Sequence, residues 1–107
     1  MSNWGKMKYY RPLPENVTVQ ESVIEGLGLH ATIDIAADTN LGLSHIEDWS
    51  FPDKYIRTPL GGFVNHSETP NTCIKEHVGG HMHLWTLRDI KVGEELTLKY
   101  NLYDPTK

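Results

Sequence analysis

Gly62-Phe63-Val64-Asn65-His66-Ser67-Glu68-Thr69-Pro70-Asn71 is the stretch on which the reading of this chain turns. Pro70 locks its own φ and is flanked by short polar residues, so the segment forms a rigid loop. Such a loop buries little of itself and presents Asn65, His66 and Asn71 to something else; the plainer alternative is a polar connection. Upstream lies Ser22-Val23-Ile24-Glu25-Gly26-Leu27-Gly28-Leu29-His30-Ala31. Taken alone, its Gly-x-Gly is a strand-joining turn, without the third glycine and following helix of a dinucleotide site. Downstream lies Arg88-Asp89-Ile90-Lys91-Val92-Gly93-Glu94-Glu95-Leu96-Thr97-Leu98-Lys99-Tyr100, which by itself passes for a turn entering a strand.

Between these segments the pattern is one of short strands and glycine turns. Strands are expected over Val17–Val23, Leu29–Ile35, Leu41–Ile46, Thr72–Val78, His81–Ile90 and Glu95–Tyr100. Residues 1–16, with Pro12 and Pro14, read as an irregular arm preceding a single domain over 17–107. Residues 47–61 hold room for one helical turn and no amphipathic helix. The expected class is mostly β, a β-rich α+β fold.

With 107 residues, 38% hydrophobic and 22% charged, the chain has the composition of one ordinary soluble domain with a modest core. No apolar run is long enough to span a bilayer and no secretory leader is visible, so no membrane partner is expected. Cys73 is the sole cysteine; it cannot pair internally, which fits an intracellular, reducing setting, cytoplasmic or host-cell. The net charge of −4 is uneven: Lys6, Lys8 and Arg11 make the arm basic, leaving an acidic body. An acidic body disfavours nucleic acid as main partner and suits a basic protein or peptide. The plainer reading is that the excess acid serves solubility. His77, His81 and His83 could converge across Gly79-Gly80 on a zinc ion; surface histidines on a hairpin are the commoner explanation, and no metal is assigned.

Together and in this order, the three segments resemble the SET-domain family of protein-lysine methyltransferases, from about Val17 to Tyr100. The likeness is to minimal SET proteins of viral type. It implies several small curved sheets and a C-terminal segment threaded beneath the loop beside Asn65-His66-Ser67. It also implies S-adenosylmethionine (SAM) as cofactor. The backbone around Leu27, Gly28 and Leu29 would approach SAM, Asn65 would bind its methionine end, and the His66 backbone would meet its adenine.

By the same resemblance Tyr100 aims its hydroxyl at the transferring methyl. It orients the reacting groups rather than acting as a strong base, since a phenol with pKa of about 10 is rarely ionised at neutral pH. Ile74 and Leu98 align with residues lining the lysine channel, and neither carries the hydroxyl that holds a blocking water, so restriction to monomethylation is not expected. Glu94 and Glu95 read as solvent-facing or capping groups, and Trp85 as core. The 18 residues Glu47–Val64 are fewer than the family usually places before the Asn-His-Ser loop, which shortens one wall of the peptide groove. Glu68 stands where many relatives have cysteine, and no zinc-binding cysteine cluster is present. Tyr103, or a second subunit of a homodimer, would complete the channel. The alternative is a non-catalytic SET-fold module that binds SAM or a peptide.

Overall fold

Apolar residues at alternate positions of 17–21 and 27–31 close a hairpin: β1 (Val17–Glu21) pairs antiparallel with β2 (Leu27–Ala31), Val19 opposite Leu29. The computed structural model describes residues 13–52 and 54–99. Ser22 shapes the connecting turn, its Oγ accepting from the N–H groups of Ile24 (2.8 Å) and Glu25 (3.3 Å), while Gly26 takes the positive φ of 52° that closes it. The second strand therefore starts two residues earlier than expected and stops at Ala31. Ile35 stands apart, bridged to Ile90.

The main sheet has four antiparallel strands in the order β4 (Tyr55–Arg57), β3 (Asn40–Glu47), β7 (Met82–Thr86), β6 (Thr72–Glu76). Two register shifts against β7, at Asn40/Gly42 and Leu43/His45, interrupt the β3 ladder; such irregularities bend a strand and raise its twist. The expected strands recur here, β3 one residue longer at each end and β6 and β7 shorter than expected. β4 lies in the stretch where only a helical turn was expected; three residues are too few to show an alternation. The helical turn is also present, at Pro59–Gly62, with Pro59 opening it and the Thr58 hydroxyl as N-cap. On β7, Leu84 and Thr86 are buried and Trp85, on the opposite face, is only half-buried beneath the Lys75 ammonium (4.5 Å), so Trp85 is not the core residue expected.

The third sheet is the smallest and the least expected from local pattern: β5 (Asn65–His66) pairs parallel with β8 (Thr97–Leu98). Leu29, Leu60, Val64, Leu84, Ile90 and Leu96 are almost fully buried where the sheets meet. No sheet of two strands can bury a face alone, so the shared core binds the layers into one unit. Leu13 packs against it, and Glu15 and Asn16 accept hydrogen bonds from Thr32, tying residues 13–16 to the body. No helix among the described residues is long and apolar enough to cross a membrane.

Candidate active site

The segment 93–98 is handed from one sheet to another. Its first part lies against β2, with Gly93 N–H on Ala31 C=O (2.7 Å) and Leu96 N–H on Leu29 C=O (2.9 Å). Its second part becomes β8 beside β5, and Ser67 N–H then donates to Leu98 C=O (3.0 Å). Asn71 stabilises the handover. Its side-chain oxygen accepts from Thr97 N–H (2.7 Å) and its amide donates to Glu95 C=O (2.9 Å), while Thr72 Oγ1 donates to Thr97 C=O (2.6 Å). Asn71 and Thr72 are buried, so these bonds replace a missing neighbour strand at a point where water cannot. The loop thus presents Asn71 inward, to the chain's own backbone.

Asn65 sits at the other side of this crossing. Its Nδ2 lies 2.9 Å from Glu95 Oε2, 3.0 Å from Ser22 Oγ, 3.1 Å from Glu25 C=O and 3.3 Å from Leu27 C=O. Ser22 in turn donates to the Glu95 carboxylate, 2.9 Å from each oxygen. Gly28 is where it is because a Cβ there would run into that carboxylate and crowd the Asn65 amide. Glu95 therefore departs from the expectation of a solvent-facing group: its side chain is only 10% exposed and joins the two glycine-turn strands to the Asn-His-Ser loop. Glu94 does cap, as expected. It accepts from Arg88 and from Lys91 N–H (3.0 Å), and the Arg88 guanidinium holds its carboxyl below the ordinary range. A serine two residues ahead of a turn is the one local signal that could have pointed to Ser22; no local signal points to Glu95.

His66 follows Asn65 on β5, with Nε2 2.8 Å from Glu68; that hydrogen bond and the nearby Lys99 ammonium (3.5 Å) hold the Glu68 carboxyl below its usual range. Leu98 and Ile74 line one cleft of about 280 Å³, with Thr72, Cys73, Leu87 and Lys99 also on its wall. Of the three residues whose backbone is expected to approach a cofactor, Leu27 is half exposed, Gly28 is covered by Glu95 and Asn65, and the Leu29 side chain is in the core. Tyr100 and Tyr103 lie outside the described residues. The histidines gather at the hairpin tip with their nitrogens turned to other partners: His77 and His83 stack with centroids 4.2 Å apart, His81 Nδ1 accepts from Glu47 N–H (3.0 Å), and His83 Nδ1 faces the Asn40 amide. Among the described residues no group of three potential ligands is arranged to hold a metal ion.

A curated relative, a histone-lysine N-methyltransferase of Candida albicans specific for H3 lysine 36, is 43% identical over 56 residues. That match covers 50% of this chain and 7% of the relative, so the chain spans a small part of that protein's length. Among solved structures, a Plasmodium falciparum protein assigned as a histone methyltransferase superposes with TM-score 0.70 at 19% identity, covering 89% of this chain and 100% of that one. The methyltransferase domain of human PR domain-containing protein 2 gives 0.63 at 20% identity, covering 83% and 79%. A Chaetomium thermophilum Polycomb Repressive Complex 2 variant gives 0.71 at 21%, covering 86% of this chain and 16% of that one. These likenesses establish a shared fold of small sheets. The SET-domain sequence profile matches residues 44–101, which includes the Asn65 loop, β8 and the start of the C-terminal segment, and on that match the chain belongs to the SET-domain family.

Proposed function

We propose that the chain is a SAM-dependent protein-lysine N-methyltransferase acting on a basic protein or peptide. The observation that carries this reading is the parallel pairing of β5 with β8. It places Asn65 and His66, the residues expected to hold a cofactor, opposite Thr97 and Leu98. Leu98 then shares a cleft with Ile74, the other residue expected to line a lysine channel. The residues expected to hold a cofactor and those expected to line a lysine channel thus adjoin one pairing of two short strands, which supports a methyl transfer between opposite faces.

SAM supplies an activated sulfonium methyl, so the protein's part is alignment, exclusion of water and deprotonation of the lysine. Asn65 would hold the methionine end, the backbone around Leu27 would approach the cofactor, and the His66 backbone would meet the adenine. A lysine entering the cleft would lay its alkyl chain on Ile74 and Leu98, and burial against that wall would favour the neutral amine over the ammonium. Tyr100, next along from Lys99, would orient the amine against the methyl. With no hydroxyl at Ile74 or Leu98, the product should extend beyond monomethyl-lysine; finding only monomethyl product under excess SAM would overturn that. The acidic body favours basic tails as substrates, and histone H3, the substrate of the Candida relative, is the first to assay. A homodimer would enlarge the groove, and its mass in solution by light scattering tests this.

The deciding experiment incubates the purified protein with radiolabelled SAM, histones and cell extract, beside Tyr100→Phe. Label on a protein band that falls at least tenfold in the variant is expected. SAM binding without label on any band would instead support the non-catalytic module.

A further inference from the structure

We propose that Glu95 is a positioning residue: it fixes which end of the Asn65 amide is turned toward the cofactor. This rests on the reading of the site as SAM-dependent. The four groups around Asn65 Nδ2 are a carboxylate oxygen, two backbone carbonyls and the Ser22 hydroxyl. Ser22 directs its own proton to Glu95 and accepts from two backbone N–H groups, so toward Asn65 it too is an acceptor. An amide has one donating end and one accepting end, and only the donating end is tolerated in a ring of acceptors. Planarity then turns Asn65 Oδ1 to the opposite side. Asn65 consequently offers an acceptor, which matches the α-ammonium of the methionine end of SAM rather than its carboxylate.

Glu95 is the member of the ring that the fold has made room for. Its carboxylate is the one charged acceptor, and bonds to a charged acceptor are the stronger ones. Gly28 leaves out a Cβ to admit it, and the antiparallel bridge between His30 and Glu95 brings it to the spot. His30 flanks the carboxylate without bonding it: its Nδ1 lies 3.1 Å from Gly28 C=O and its Nε2 is 4.0 Å from Glu95 Oε1, beyond hydrogen-bond reach. Replacing the carboxylate by an amide removes the one charged acceptor, and the hold on the donating end of Asn65 then loosens to the two carbonyls and the Ser22 oxygen.

The test is calorimetric titration of the full chain with two ligands, SAM and 5′-methylthioadenosine, which keeps the nucleoside and sulfur but lacks the amino-acid end. Glu95→Gln should weaken SAM binding at least tenfold and leave methylthioadenosine within twofold. Ser22→Ala, a milder change to the same ring, should show the same selectivity at about threefold. Glu94→Gln serves as the control and should change neither. Equal losses for both ligands would mark Glu95 as merely structural and overturn the proposal, as would unchanged SAM binding in both variants. If the unaltered protein binds neither ligand, the cofactor reading itself fails.

Discussion

The β6–β7 hairpin and the crossing of β8 with β5 hold the same few residues of strand in two different ways. In the hairpin, partners six to fourteen residues apart pair in unbroken register from Thr72↔Thr86 to Glu76↔Met82, and alternation buries Leu84 and Thr86 on one face. In the crossing, partners thirty-two residues apart pair over only two positions, Asn65↔Thr97 and His66↔Leu98. The ladder there is too short to stabilise itself, so side chains stand in for it: Asn71 mimics a neighbouring strand's donor and acceptor, and Thr72 supplies another donor. The lesson is that regular pairing positions the frame, while buried polar side chains position the residues assigned to chemistry.

The sharpest way to break this contrast is Asn71→Ala. It leaves Thr97 N–H and Glu95 C=O without their side-chain partners, at about 1–3 kcal/mol each, so unfolding in urea should show a loss of about 2–5 kcal/mol. A loss no greater than that of an exposed substitution such as Val78→Ser would mean that the crossing is not held by side chains. Leu84→Ala should cost a similar amount, about 2–5 kcal/mol from lost burial and cavity, but with less effect on SAM affinity at equal stability. Thr72→Val keeps the shape and removes one buried hydrogen bond, and about 0.5–1.5 kcal/mol is expected from the same urea titration.

The hairpin tip is where pH should act. Burial first, and then the neighbouring His77 and His81, push the His83 pKa below its ordinary value of 6.5. Its folded state therefore binds fewer protons than the unfolded chain, and its contribution to stability is full above pH 6.5 and declines as the pH falls below it. Thermal melts across that range should show a slope that His83→Gln reduces, by about 0.2–1 kcal/mol for so open a cluster. The smallest effect belongs to the Lys91–Glu94 turn. Glu94 is depressed by Arg88, so its contribution is present above the ordinary carboxylate range and is lost as acid protonates it. Arg88→Ala should change stability little at neutral pH and flatten the acid limb of the stability curve.

Several parts of the molecule were legible in the residues alone. Short runs between turns located β1, β3 and β6, and period-two alternation β7, to within a few residues, and the ordered motifs at Gly26-Leu27-Gly28, Asn65-His66-Ser67 and Gly93-Glu94-Glu95 identified the family. β4 was not legible, since Tyr55–Arg57 gain their strand geometry only from pairing with β3. Trp85 was misjudged because alternation assigns opposite faces but does not tell which face a neighbouring sheet will cover. Glu95 was misjudged for a related reason. A glutamate in a turn is solvated unless something distant surrounds it, and here Ser22 and Asn65, 73 and 30 residues away in the chain, do so.

What the sequence by itself determined is the kind of fold and the identity of the residues gathered at its centre, because motif order and side-chain period are properties of the chain. Only the tertiary structure decided how those residues are used. It turned Asn71 inward to serve a strand, buried a carboxylate under Gly28, and brought Leu98 and Ile74 to one cleft. Each of these depends on a contact between distant segments, and the strength of a hydrogen bond or charge is set by the burial that such contacts create.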